Sequence, residues 1–205
     1  YSRYDCSLSA AEATQRKWER GCNLCLLHRD GTEDALTSGR WLDYTPSVAA
    51  DGRTVYFATT HGLKPSCGSD LACLSLEPEA KMATVPLPGG NVSPMLSPDG
   101  KTLVWAERAS LYRPWRIVCA SCRSVGFVTE LTDDVTMSGY APRWSPDGKR
   151  LAFTGFAEGD LGWRLYLLEF ATGKIMRLET GSGNCKSPAW APDGKHLIFE
   201  NNQTG

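Results

Sequence analysis

Short runs in which apolar and polar residues alternate recur along the chain, and each run directly follows an Asp-Gly pair. The clearest pairs of apolar positions are Leu103 and Trp105, Leu151 and Phe153, and Leu197 and Phe199. Alternation with a period of two predicts strands with one buried face. The Pro-Asp-Gly sequences before these runs supply the fixed φ of proline and the positive φ of glycine that tight turns require. Each copy is therefore predicted to form a β-hairpin.

The predicted hairpin occurs four times at a nearly constant interval. The intervals are 48, 48 and 46 residues, counted between Gly52, Gly100, Gly148 and Gly194. A second pair of predicted strands precedes each hairpin, most clearly at residues 165–170 and 175–178. Four strands in each repeat of this length predict the blade of a β-propeller, so the fold class is all-β with four repeats.

The copies share the consensus P-x-W-S-P-D-G-K-x-L-x-F, which resembles the PD40 repeat, the WD40-like β-propeller repeat of TolB-type proteins. The last three copies match it closely, whereas Ala49-Ala50 replaces Ser-Pro in the first. The resemblance covers approximately residues 22–200, so we expect a β-propeller over residues 22–205 and an N-terminal extension over 1–21. It also implies a non-catalytic propeller that binds another protein outside the cytoplasm.

The phase of the repeats predicts how the propeller closes. The chain opens with the third and fourth strands of a blade, at residues 24–36, and ends with the first and second strands, at residues 188–199. These leftover strands add up to one blade, which predicts a four-bladed ring latched by its N- and C-terminal strands. Two alternatives stay open: a part of a larger propeller of about six to eight blades, or leftover strands that complete a neighbouring chain's blade.

The first 21 residues lie outside the repeats. Ser9-Ala-Ala-Glu12 matches a capping box, and residues 10–20 are rich in helix formers. This segment is predicted to be a short helix, which either packs on the propeller or serves as a partner-binding arm.

Eight cysteines are more than reducing compartments usually retain in a chain of 205 residues. We therefore expect a disulfide framework in a secreted, periplasmic or cell-surface protein. The simplest local bridge joins Cys67 to Cys73, and a bridge between Cys6 and Cys185 would fix the N-terminal extension onto the latched blade. The disulfide candidates are Cys6, Cys22, Cys25, Cys67, Cys73, Cys119, Cys122 and Cys185.

Two C-x-x-C pairs, Cys22–Cys25 and Cys119–Cys122, raise haem, zinc and redox chemistry as alternatives. Covalent haem attachment is excluded because Leu26 and Arg123, rather than histidine, follow the second cysteines. A single four-thiolate zinc site is disfavoured because the two pairs fall in different blades, and neither pair lies in the βαβ context of a redox site.

Charge and motifs indicate no other chemistry. The 22 Lys and Arg residues oppose 23 Asp and Glu residues, so no net field favours nucleic-acid binding. No apolar run approaches the length of about 20 residues that a membrane helix needs. The chain carries no nucleophile elbow, phosphate loop or metal-spaced histidine pair. No catalytic residue, metal or cofactor is therefore predicted, and the chain is expected not to be an enzyme by itself.

The loops before the first strand of each blade should gather at one end of a propeller. They carry aromatic and charged residues of the kind that interface centres use. The predicted partner-binding residues are Arg40, Trp41, Asp43, Tyr44, Asn91, Tyr140, Asn184 and Lys186. The partner is another protein, with copies of the same chain included. The alternatives are a structural subunit of an extracellular filament or cell-surface assembly, and the propeller domain of a larger peptidase-like enzyme.

Overall fold

The computed structural model describes residues 2–3, 21–39, 41–61, 68–77, 81–85, 87, 90–110, 112–122, 124–133 and 135–202. Within these ranges the regular secondary structure consists of β-strands, in agreement with the predicted fold class. The predicted helix over residues 10–20 lies outside the described residues, as do Cys6, Arg40 and Cys67.

The strands form three complete four-stranded sheets, called blades 1 to 3, and a smaller sheet at each end of the chain. The N-terminal half-blade contains β1 (Ser2–Arg3), β2 (Asn23–Leu27) and β3 (Glu33–Ala35). Blade 1 contains β4 (Asp43–Val48), β5 (Thr54–Thr59), β6 (Asp70–Ser75) and β7 (Ala83–Val85). Blade 2 contains β8 (Gly90–Leu96), β9 (Thr102–Arg108), β10 (Arg116–Ser121) and β11 (Ser124–Glu130). Blade 3 contains β12 (Met137–Trp144), β13 (Arg150–Ala157), β14 (Arg164–Glu169) and β15 (Lys174–Arg177). The C-terminal half-blade contains β16 (Cys185–Trp190) and β17 (Leu197–Asn201).

Each complete blade is an antiparallel meander whose strands follow one another in sheet order. The predicted hairpins are the first two strands of each blade, and the predicted preceding pairs are the third and fourth strands. The repeat therefore corresponds to one blade, as the sequence predicts.

The predicted latch between the two half-blades is not formed. Among the described strands, β17 pairs only with β16, and β2 lies between β1 and β3. The N-terminal strand β1 occupies the edge of β2 that the latch would give to β17, through the pairs Ser2–Leu24 and Arg3–Asn23. In the described part of the chain, the three blades and the two half-blades are therefore separate sheets, and a segment outside the repeats pairs with the β2 edge.

The core lies between successive sheets in three apolar clusters. Phe57, Trp105 and Phe153 occupy the same repeat position and are completely buried. Trp105 packs with Leu103 and Val118 in the cluster between blades 1 and 2. The apolar positions of the alternating pattern in the second strands are therefore the residues that each blade packs against its neighbour.

The four Asp-Gly turns have the geometry that their sequence predicts. Each glycine has a positive φ, between 65° and 72°. Each aspartate accepts a hydrogen bond from the backbone N–H two residues on, at 2.8–3.1 Å. In the second and third copies the hydroxyls of Ser97 and Ser145 also donate to Asp99 and Asp147. The first copy has Ala49 in place of this serine, so its turn lacks that bond.

Acid is expected to destabilise the fold through these turns. Hydrogen bonds from the serine hydroxyls and then from backbone N–H groups lower the pKa of Asp99 and Asp147 below its ordinary value. A carboxyl whose pKa is lower in the folded than in the unfolded chain stabilises the fold above the unfolded pKa. That stabilisation is lost as the pH falls through the folded pKa, so the urea midpoint should drop below about pH 4.

The double variant Asp99→Asn/Asp147→Asn keeps a turn-forming side chain but cannot titrate. We expect a smaller decrease of its urea midpoint between pH 7 and pH 3 than in the wild-type chain. Glu158→Gln, which alters an exposed carboxyl outside the turns, is the matched control. An equal pH dependence of the double variant and the wild type would contradict this assignment.

The first strand of each repeat contains a bulge at the residue before its first proline. Thr45, Ser93, Ala141 and Ser187 have φ values of 52°, 55°, 53° and 52°. The pairing register shifts at this point in all four first strands. The backbone N–H of Ser93 donates to the hydroxyl of Thr45 in the preceding blade at 3.0 Å. The repeat therefore preserves a backbone conformation as well as a sequence.

Candidate functional site

Each blade has one end at which its first strand begins, its second strand ends and its third strand begins. We call this end the rim. In blade 2, Gly90 pairs with Arg108, and Glu107 pairs with Arg116. The loops that lead into the first and third strands lie at this end. Successive blades are also joined here, since the N–H of Asn91 donates to the carbonyl of Ser69 at 3.1 Å.

Blade 3 and the C-terminal half-blade carry an aromatic cluster on the rim. The Trp163 ring lies edge-on to Tyr140 at a centroid distance of 5.0 Å and contacts Phe156 at 5.9 Å. Lys186 places its Nζ 5.9 Å from the centre of the Trp163 ring. Phe156 is 42% exposed, and the other three side chains are half-buried. The cluster thus presents tryptophan, tyrosine and phenylalanine beside a cation.

Local hydrogen bonds and burial hold this cluster in place. The side-chain oxygen of Asn184 accepts the backbone N–H of Trp163 at 2.8 Å, and the Asn184 N–H donates to Asn202 at 2.6 Å. Burial raises the pKa of Tyr140, so its phenol stays protonated at neutral pH. The cluster therefore combines ordered rings with one charged group.

A second tryptophan–cation pair lies on the rim of blade 2. The guanidinium of Arg108 lies 4.6 Å from the centre of the Trp115 ring. Trp115 and Trp163 occupy equivalent positions, each followed by an arginine that begins the third strand. Blade 1 has a related pair, in which Trp41 and His61 lie 4.9 Å apart. Aromatic rings with adjacent cationic or imidazole groups therefore recur along the rim.

The structure divides the predicted partner-binding residues into two groups. Trp41, Tyr140, Asn184 and Lys186 lie on the rim and contribute to the ring contacts or their support. Tyr44 is half-buried on β4, and burial raises its pKa.

Asp43 and Asn91 belong to the second group, because they are 2% and 0% exposed. Asp43 accepts a hydrogen bond of 2.6 Å from the hydroxyl of Thr59. Asn91 accepts a bond from the indole N–H of Trp105 at 3.0 Å and donates to the carbonyl of Ser69 at 2.8 Å. Both side chains hold strands together beneath the rim.

Sequence reasoning missed several members of the rim. The residues that the structure adds are His61, Arg108, Trp115, Phe156 and Trp163. Alignment of the third strands would have shown two of them, because Trp-Arg precedes an apolar run at both 115 and 163.

A shallow cleft lies beside the aromatic cluster, at the loop between β13 and β14. It is lined by Leu161, Arg164, Arg177 and Glu179 among others. Arg177 bonds the carboxylates of Asp160 and Glu179, each at 3.2 Å. Arg164 donates to the carbonyl of Gly183. Nearby acceptors already bind both guanidinium groups. This cleft is therefore a weaker candidate for a binding site than the partly exposed rings of the rim.

The cysteines provide no assembled reactive or metal site within the described part of the chain. No disulfide bond joins any two of the six described cysteines. The first C-x-x-C pair lies in the N-terminal half-blade and the second in blade 2, and no group of three potential metal ligands occurs among the described residues. Disulfides that involve Cys6 or Cys67 fall outside the described residues. Cys73, the predicted partner of Cys67, lies on β6 rather than in a loop.

Two thiols face apolar surroundings. Burial raises the pKa of Cys73 and of Cys119, which lowers the fraction of thiolate at neutral pH. Cys119 packs in the apolar cluster between blades 2 and 3. The Cys122 thiol donates to the carbonyl of Gly100 at 3.1 Å. Cys73 and Cys119 are therefore packing groups rather than activated nucleophiles.

Comparison with known proteins agrees with this architecture. The family model of the TolB β-propeller domain, PD40, matches residues 92–205. A search of curated protein sequences gave no significant match. Among the described residues, no helix is long and apolar enough to cross a membrane.

Solved structures of longer proteins share the fold. The TolB-type protein of Agrobacterium tumefaciens is 21% identical, with a TM-score of 0.69 over 88% of this chain and 61% of its own. TolB of Acinetobacter baumannii is 21% identical, with a TM-score of 0.68 over 90% of this chain and 44% of its own. A puromycin-hydrolysing peptidase of Mycobacterium tuberculosis is 17% identical, with a TM-score of 0.58 over 78% of this chain and 25% of its own. This chain therefore spans less than two thirds of each of these proteins.

Proposed function

Because the chain belongs to the TolB β-propeller (PD40) family, we propose that it is a non-catalytic protein-binding scaffold that acts outside the cytoplasm and engages its partner through the rim. The observation that carries this proposal is the repeated placement of a partly exposed tryptophan against a cation, at Trp115 with Arg108 and at Trp163 with Lys186. Tryptophan, tyrosine and arginine are the residues most enriched at energetically dominant positions of protein interfaces.

The arrangement of the rim favours a macromolecular partner over a small substrate. The rings are spread over blades 1 to 3 rather than gathered around one cavity. A surface of this kind fits an extended protein segment, with the rings as anchors and the polar loops as the surrounding contacts. The count of eight cysteines, which is high for a chain of 205 residues, supports a location outside the cytoplasm.

Loss of a central ring is expected to weaken partner binding strongly. Peptides selected from a random phage-displayed library on the wild-type chain would serve as probes, with their dissociation constants measured by fluorescence anisotropy. We expect Trp163→Ala to raise these constants at least tenfold, because it removes the ring that Tyr140, Phe156 and Lys186 surround.

Phe127→Ala is the matched control. It removes an aromatic side chain that is 84% exposed on β11, away from the rim, and should leave the dissociation constants unchanged. Circular dichroism of both variants would check that they fold. Selected peptides that bind wild type, Trp163→Ala and Phe127→Ala equally well would contradict the proposed site.

A second candidate is the propeller domain of a larger peptidase-like enzyme. The similarity in fold to the puromycin-hydrolysing peptidase, of which this chain covers a quarter, favours it. In that case the catalytic groups would lie in another part of the protein. A reading frame that continues into a domain with a Gly-x-Ser-x-Gly nucleophile elbow would support this candidate, and one without such a domain would contradict it.

A further inference from the structure

The loop between β13 and β14, residues 158–163, connects the shallow cleft to the aromatic cluster of blade 3. It ends with Trp163, and its tip carries Leu161, whose side chain is 97% exposed and forms part of the cleft wall. One exposed leucine is ordinary on a protein surface. What distinguishes this loop is the set of buried polar contacts that hold it.

A buried carboxylate lies at the centre of these contacts. The Asp160 side chain is 2% exposed and accepts hydrogen bonds from the Tyr166 hydroxyl at 2.6 Å and the Ala157 backbone N–H at 2.9 Å. Its other oxygen accepts a bond from Arg177 at 3.2 Å. The Asp160 N–H donates to the Ala157 carbonyl at 3.1 Å, which closes a tight turn. Hydrogen bonds to an ionised group are stronger than neutral ones, so this network fixes the loop firmly.

The donors and the acceptor of the network keep their roles at neutral pH. Burial raises the pKa of Asp160, but its three hydrogen-bond donors outweigh burial and hold that pKa below its ordinary value. Burial and then the bond to Asp160 raise the pKa of Tyr166. The carboxylate is therefore ionised while the phenol is protonated, and the phenol donates to it.

The repeat itself does not require this network. Blades 1 and 2 have Ala72 and Val118 at the position of Tyr166 in the third strand. The Tyr166 ring fits because Gly155 lies beside it, where a Cβ would be 2.7 Å from the ring atom Cδ2. Blades 1 and 2 have residues larger than glycine at this position. Blade 3 thus departs from the other blades at two neighbouring positions, and together these departures bring a hydroxyl to the loop.

We propose that Asp160 and Tyr166 are positioning residues that hold the β13–β14 loop in its binding conformation. In that conformation Leu161, two residues before Trp163, is an apolar anchor for the partner segment. The segment places an apolar side chain against Leu161, because the charged groups of the adjacent cleft already bond one another. A loop that is ordered before binding loses little conformational entropy on binding. This inference rests on the proposed protein-binding function and adds to it the position and chemistry of one contact.

A double-mutant cycle on peptide binding tests the positioning role, with peptides selected by phage display on the wild-type chain as probes. Tyr166→Phe removes only the hydroxyl and should raise their dissociation constants about fivefold. Leu161→Ala removes the anchor and should raise them roughly tenfold. In the Leu161→Ala background, Tyr166→Phe should add less than about twofold, because no anchor remains to be positioned.

Hydrogen exchange supplies a readout that needs no partner. Tyr166→Phe should speed amide exchange in residues 157–163, where Ala157 and Asp160 donate to each other. Tyr56→Phe is the matched control, since it removes the hydroxyl of a half-buried tyrosine packed between blades 1 and 2. It should change neither the exchange of the loop nor the dissociation constants. Urea unfolding would check that each variant folds.

The possible results separate this inference from the proposed function. Unchanged loop exchange in Tyr166→Phe would overturn the inference whether or not a peptide binds. An equal effect of Tyr166→Phe on binding with and without Leu161 would also overturn it, since a general loss of stability has that result. Weaker binding by Trp163→Ala together with unchanged binding by Leu161→Ala would remove the anchor but leave the protein-binding rim in place.

Discussion

Replacement of Trp105 by alanine is expected to lower the free energy of unfolding by about 3–5 kcal/mol. The Trp105 side chain is 0% exposed and fills the cluster between blades 1 and 2. Its indole N–H also donates to Asn91, which in turn donates to the Ser69 carbonyl of blade 1. The substitution would leave a cavity and remove one partner from a buried polar group, and both effects destabilise the fold.

Urea unfolding of three variants would separate these effects. Trp105→Phe keeps most of the packing and loses the hydrogen bond, so we expect it to cost less than Trp105→Ala. Phe127→Ala, at an exposed aromatic residue, should change the free energy of unfolding by less than about 0.5 kcal/mol. A loss below about 1 kcal/mol for Trp105→Ala would show that the cluster does not depend on this ring.

Replacement of Arg116 by methionine is expected to be similarly damaging, at about 3–5 kcal/mol. Arg116 bonds the carboxylate of Glu107 at 2.6 Å and that of Glu130. Glu107 is only 4% exposed, so loss of the guanidinium would leave a buried carboxylate without its counter-charge. The cost of an uncompensated buried charge exceeds the net contribution of an intact ion pair.

The double variant Arg116→Met/Glu107→Leu tests this explanation. It removes both charges and should recover most of the stability that the single variant loses, as measured by urea unfolding. Arg53→Met is the comparison at an exposed pair, since the side chains of Arg53 and Glu77 are 75% and 60% exposed, and it should cost about 1 kcal/mol or less. A double variant no more stable than Arg116→Met would show that packing, rather than charge, causes the loss.

The sequence predicts the blades well because their signals are local. Asp147 and Gly148 form a turn through contacts within a few residues, and the apolar positions of β13 follow directly. Repetition of the pattern then reveals the number of hairpins and their phase. None of these inferences needs knowledge of distant contacts.

The absence of the latch could not be predicted in the same way, because it involves a strand outside the repeats. β1 is too short to show any periodicity, and yet it occupies the edge of β2. A repeat alignment shows which strands are left over but does not show whether a further segment pairs with them.

Prediction of the rim was limited by tertiary contacts. Topology alone placed Tyr140 and Lys186 at this end, and the structure brings both to Trp163. Asp43 and Asn91 carry the same polar character in the sequence, but they are buried, with partners 14 or more residues away. Exposure at a strand terminus depends on these partners, which a single sequence does not reveal.

The bulge before each first proline bears on how much of the chain can fold independently. The four bulge residues have a positive φ, and none of them is glycine. This conformation costs a residue with a side chain about 1–3 kcal/mol. At Ser93 the stabilising hydroxyl belongs to Thr45 of the preceding blade. An excised single repeat would bear the cost without that neighbour. We therefore expect two adjacent repeats to fold more stably than one excised repeat.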